Sequence, residues 1–149
     1  MIDIESLVFD TVFNGMRNVY SSLNITSGYV EENAVFPCVV VHEIGNEPYQ
    51  RTDTDDCAEN YTRVTYQIDV YSDKANTARS ECKKLLALAD SIMQNMKFRR
   101  QRMNEPVNTS RTIYHQYARY TAIVQAGIST TVTNNGTETT TTTFQMYRR

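Results

Sequence analysis

Tryptophan is absent from the 149 residues, histidine occurs twice, and cysteine and proline occur three times each. Each scarcity excludes something. Cys38, Cys57 and Cys82 are an odd set without metal-ligand spacing, so neither a disulfide framework nor a zinc site is expected, and a reducing, cytoplasmic setting follows. The acidic opening MIDIESLVFDTVF lacks the basic region of a signal peptide. The five glycines are scattered singly, which leaves no phosphate-cradling loop. His42 and His115 both fall inside strand-like runs, and no GxSxG or comparable signature supplies either with a nucleophile, so they are read as ordinary strand histidines. Asp53, Asp55 and Asp56 resemble the start of a calcium loop, but Ala58 stands where the turn glycine is needed and Val64 where the closing glutamate is needed. No enzyme, cofactor or metal is expected. No apolar run approaches the roughly 20 residues of a membrane span, which leaves a soluble chain with no membrane contact. Fifteen Lys and Arg against seventeen Asp and Glu give a formal charge of −2, so no global field advertises nucleic acid.

What is present is periodicity of two kinds. From Asp3, a candidate N-cap, Ile4, Leu7, Val8, Val12, Phe13, Met16, Val19 and Tyr20 recur at spacings of three and four, one face of a helix. A second helix, capped by Asp73 or Asn76, places Ala78, Cys82, Leu85, Leu86, Ala89, Ile92, Met93 and Met96 in one stripe. Between them FPCVVVHEI, residues 36–44, is apolar on both parities, as a strand covered on both sides should be, with Gly45, Asn46 and Pro48 ending it. A turn is expected near Ser27 and Gly28. KFRRQRMNEPV predicts a short basic strand and a turn at Pro106. In TIYHQYARYTAIVQA, Tyr114, Ala118, Tyr120, Ala122, Val124 and Ala126 share one parity, with His115, Arg119, Thr121 and Gln125 opposite.

The strand ENYTRVTYQIDVYSD poses the functional question. Thr62, Val64, Tyr66, Ile68 and Val70 form an apolar face, while Arg63, Thr65, Gln67 and Asp69 alternate with them and require water or a partner. Before it lies an acidic connection, EPYQRTDTDDCAEN, expected to be an exposed loop. Near the end, Asn135-Gly136 is the pair favoured in a two-residue hairpin turn. With that turn Asn134 faces Thr137 and Val132 faces Thr139, giving a threonine-rich ribbon with little apolar surface to dock. Such a ribbon is marginal alone and is expected to project and be completed by another chain.

The expectation is therefore a single α+β domain over residues 1–149. Its core, residues 1–126, is a mostly antiparallel sheet with two main helices packed on one face, and residues 127–149 form a projecting C-terminal β-hairpin. The residues expected at interfaces are Arg63, Gln67 and Asp69 on the polar strand face, Asp53, Asp55 and Asp56 in the loop, Arg99 and Arg100 on the basic strand, and Asn135 in the hairpin. The acidic loop of one copy could meet the basic run of the next, a head-to-tail contact that closes into a ring when the rotation permits. Lys97, Arg99, Arg100 and Arg102 could alternatively contact phosphate, although only Phe98 is present nearby to stack on bases.

FPCVVVHEIGN, ENYTRVTYQIDVYSDK, ARSECKKLLALADSIMQNMKF and IYHQYARYTAIV, in that order and over about residues 4–125, resemble the tail terminator (tail completion) proteins of long-tailed bacteriophages and prophages. The resemblance implies an α+β subunit of a six-membered ring that caps the tail tube, stops tube polymerisation and offers its other surface to the head-side connector. It also implies a virion component assembled in the bacterial cytoplasm, DNA passing through the channel without sequence-specific binding, and no catalytic residues. A head-tail connector or stopper one layer nearer the capsid is the neighbouring reading.

Overall fold

The computed structural model describes residues 2–30, 35–49, 61–109, 112–125, 129–134, 137–142 and 145–147. Helix α1, Glu5–Arg17, leads into β1, Asn24–Ser27, and β2, Cys38–Pro48; β3, Tyr61–Ser72, is followed by α2, Ala78–Asn95. Then come β4, Arg99–Met103, β5, Val107–Asn108, and β6, Tyr114–Gln125, and last β7, Ser129–Asn134, β8, Thr137–Thr142, and β9, Gln145–Tyr147. The main sheet runs β1-β2-β3-β6-β4, with β5 and β9 also paired to β6, while β7 and β8 form a second, two-stranded sheet. Every pairing is antiparallel except β1 with β2. This is the expected α+β architecture with a C-terminal hairpin.

The expected apolar parities supply the core. Val64, Tyr66, Ile68 and Val70 of β3 and Ala118, Tyr120, Ala122 and Val124 of β6 join one buried cluster with Val8, Val12 and Met16 of α1 and Cys82, Leu85, Leu86, Ala89 and Met93 of α2. Both helices therefore lie on one face of the sheet. They approach each other closely at Gly15, where an added Cβ would sit 2.7 Å from Cδ1 of Ile92.

Several expectations need correction. Leu7, Val19 and Tyr20 belong to the α1 stripe by spacing, yet they are 49%, 61% and 37% exposed. Helix α1 ends at Arg17, so Val19 and Tyr20 lie beyond it, and Leu7 falls on the flank of the buried line made by Val8, Val12 and Met16. The N-cap position of α1 is Ile4 and not Asp3, although the Asp3 side chain accepts from the amide of Glu5 at 3.0 Å; neither Asp73 nor Asn76 caps α2, whose N-cap position is Thr77. Strand β2 does not stop at Gly45. A register shift between Glu43 and Gly45 absorbs one residue, and pairing with β3 continues to Pro48. A bulge lets a strand continue past an irregular residue. β1 and β9, four and three residues long, carry no readable alternation and fall outside the sequence expectation.

The end of α2 is built with a residue that resists the shape it must take. Lys97 has φ 71°, its amide donates to the carbonyl of Gln94 at 2.9 Å, and the amide of Phe98 donates to Met93 at 3.0 Å. These two bonds are those of a Schellman cap, where glycine is usual. Placing a lysine there costs about 1 kcal/mol, and it puts a basic residue at the entrance to β4.

Candidate interaction surface

The face of the sheet opposite the helices follows from the register. Gln67 lies between His42 and Arg119, Asp69 between Val40 and Tyr117, and Tyr71 between Cys38 and His115. Cys38 and Val40 on this face are buried. Beside them, Asn24 Nδ2 donates to the carbonyl of Val35 at 3.4 Å and Thr26 Oγ1 to that of Tyr29 at 3.3 Å.

The middle of the face holds a polar network. Asp69 was expected to be open to water or a partner; instead it is 4% exposed. Its Oδ1 accepts from His115 Nε2 at 2.7 Å, both oxygens accept from Gln67 Nε2 at 3.1 Å, and His42 Nε2 lies 3.5 Å from Oδ2. A carboxylate only accepts, so the His115 proton facing it sits on Nε2. Gln67 passes the order onward, its Oε1 accepting from Arg119 Nε at 2.9 Å. Arg119 also lies over the Tyr117 ring, 5.6 Å from its centroid, and His115 stacks on Tyr71 with centroids 4.4 Å apart. The histidines read as ordinary strand residues are therefore the clamps of a buried acid. Their separation in sequence hid this, because the contact exists only once β2, β3 and β6 are aligned.

A second feature occupies the β4 side. Arg99 and Arg102 pair in register with Thr121 and Arg119, which puts them on the outer face, whereas Arg100 pairs with Tyr120 and turns inward. There it meets Asp90 Oδ1 at 3.2 Å, and the same oxygen accepts from Tyr120 Oη at 2.9 Å. Burial, followed by the bond to Asp90, pushes the Tyr120 hydroxyl above its ordinary pKa. Arg63, Lys97, Phe98, Arg99, Arg100 and Thr121 line a cleft of about 740 Å³. Of the residues expected at interfaces, Arg63 and Arg99 are exposed and border this cleft, Gln67 and Asp69 are tied into the network, and Arg100 is engaged by α2. Asp53, Asp55, Asp56 and Asn135 lie outside the described residues. Among the described residues no group of three or more His, Cys, Asp or Glu side chains could hold a metal, and no helix is long and apolar enough to cross a membrane.

The opposite side of the sheet is acidic. Glu43 accepts from Asn46 Nδ2 at 3.2 Å and from Tyr66 Oη at 3.4 Å. Burial raises its pKa from 4.5; the bonds from Asn46 and Tyr66 act the other way, and the charges of Asp3 and Glu5 add to the rise. Above pH 4.5 the folded chain thus holds this proton more tightly than the unfolded chain. Stability should fall as pH rises from there through the folded value, and the penalty then persists. Glu43→Gln keeps a carbonyl acceptor and removes the charge. It should raise the melting temperature at pH 7 and flatten the decline from acid to neutral; a lower melting temperature at pH 7 would refute this account.

The geometry is thus a helix-backed sheet whose other face is ordered by polar contacts around Asp69 and bordered by arginines on the β4 side. The family model described as tail completion protein gp17 matches residues 15–126, and the chain belongs to that family. It is accordingly a bacteriophage tail protein, a structural component of the virion. A search of curated proteins found no match.

Proposed function

We propose that the protein forms a ring, six-membered by analogy with the resembled terminators, which caps the tail tube, ends its polymerisation and joins it to the head-side connector. The observation that carries this reading is the family match across residues 15–126. The exposed arginines Arg63 and Arg99 and the separate β7–β8 ribbon are consistent with it, since both leave groups for neighbouring subunits to meet. In this reading Arg63, Arg99 and Arg100, with Asp53, Asp55, Asp56 and Asn135, supply contacts to copies of the chain, the tube protein or the connector, while Gln67 and Asp69 order the face beside them. DNA traverses the channel without being read. Assembly takes place in the bacterial cytoplasm.

Native mass across concentration, with negative-stain images, tests the proposal. A closed ring of about six copies that binds the ends of purified tail tubes and blocks their extension is the expected result. A ring that ignores tube ends but binds the portal-side neck would move the protein one layer, to a connector or stopper. A monomer that leaves tube extension unchanged would refute both positions.

A further inference from the structure

The two sides of the main sheet are unlike in charge and alike in being unfinished. β1 pairs with β2 only from Cys38 to Val41. Beyond that, among the described residues, no strand pairs with the outer side of β2 from His42 to Pro48. On the far side β4 pairs with β6 alone, so its other edge is likewise open among the described residues. Open edges present rows of unmet amides and carbonyls and are templates for another strand.

Three observations say what covers them. The first is height: β4 lies opposite residues 118–121 of β6, which align with residues 65–68 of β3 and thus with Val41 to Gly45 of β2. The open stretches therefore overlap along the sheet. The second is direction. From β2 to β3, β6 and β4 each step is antiparallel, so β2 and β4 run oppositely. A copy rotated about an axis along the strands would set its β2 antiparallel to β4 of its neighbour, continuing the alternation.

The third is charge, matched face by face. On the outer face Glu47 of β2 is exposed, and Arg99 and Arg102 of β4 are exposed. On the helix side Glu43 has Asp3 and Glu5 close enough to raise its pKa, and Arg100 is on the same side of β4. Lys97 adds its charge to the cleft beside β4 at a conformational cost described above. Within one chain Glu47 faces Arg63 across the ladder and Arg100 meets Asp90, while Arg99 and Arg102 have no ion pair among the described residues.

We infer that copies of this chain join edge to edge, the His42–Pro48 stretch of β2 in one copy lying beside β4 of the next, so that the sheets run on from subunit to subunit. The inference rests on the ring reading and specifies which surfaces close the ring. Acidic against basic edges make the contact heterologous, the type that generates rings, and fix its polarity, because β2 against β2 or β4 against β4 sets like charges together.

The test is a charge exchange between two versions of the full chain. One carries Arg99→Glu with Arg102→Glu, the other Glu47→Lys with Ile44→Lys; circular dichroism and melting curves check that both fold. Each alone should assemble only at roughly a hundredfold higher concentration than the parent, since every contact then opposes like charges. Mixed in equal amounts they should recover the parent's ring mass, because an alternating ring of even number opposes unlike charges throughout. A parent that forms rings together with two variants that still form them singly overturns the edge contact and spares the ring. A parent that is monomeric at every concentration overturns both. If the arginine variant forms rings normally but loses retention of double-stranded DNA at low salt, the β4 edge is a phosphate contact and the inference fails.

Discussion

Asp69→Ala should lower stability by about 2–3 kcal/mol in equilibrium urea unfolding, the cost expected when a charged acceptor is removed and partly buried donors are left facing each other. Asp69 is 4% exposed and is the shared acceptor for His115 and Gln67, with His42 Nε2 a further 3.5 Å contact. Its loss does not stay local. Gln67 is held at one end by Asp69 and at the other holds Arg119, so the guanidinium loses the bond that aims it. Asp69→Asn is the informative control, because it keeps the shape but turns an NH₂ group toward one of the donors. It should fall between parent and alanine variant. Equal stability of all three proteins would show that the network contributes nothing to folding.

The second large effect separates two residues of one helix that spacing alone makes equivalent. Met16 is fully buried and Leu7 is 49% exposed. Met16→Ala should cost about 2–5 kcal/mol by opening a cavity against the sheet, and Leu7→Ala within about 0.5 kcal/mol of nothing. Comparable losses at both positions in the monomer would mean that α1 is rotated from the orientation described.

Those two predictions mark where sequence reading succeeds and where it stops. The inner faces of β3 and β6 and the stripe of α2 were legible, because one-sided burial leaves a period of two or 3.6 in the residue types. The register of the ribbon was legible too: Asn134 pairs with Thr137 and Val132 with Thr139, as the two-residue connection requires. The parallel strand β1 and the short β9 were not, since four and three residues are too few to establish a period. The site was half legible. Arg63 and Arg99 are exposed as expected, but a strand pattern says only which face a residue occupies. Whether Asp69 meets water or two histidines depends on partners 27 and 46 positions away, and those are set by pairing that local pattern does not encode.

The ribbon's attachment has a mechanical consequence. β7 follows β6 in the chain, and β8 returns into β9, which pairs with Ile123, Val124 and Gln125 at the end of β6. Any load on the ribbon therefore reaches β6 through its own backbone. β6 is flanked by β3 over its full twelve residues on one side and by β4, β5 and β9 on the other. A pull directed along β6 would strain those ladders in shear, with many hydrogen bonds resisting together, instead of peeling them one pair at a time. The strand that anchors the ribbon is thus the one hardest to draw out of the sheet.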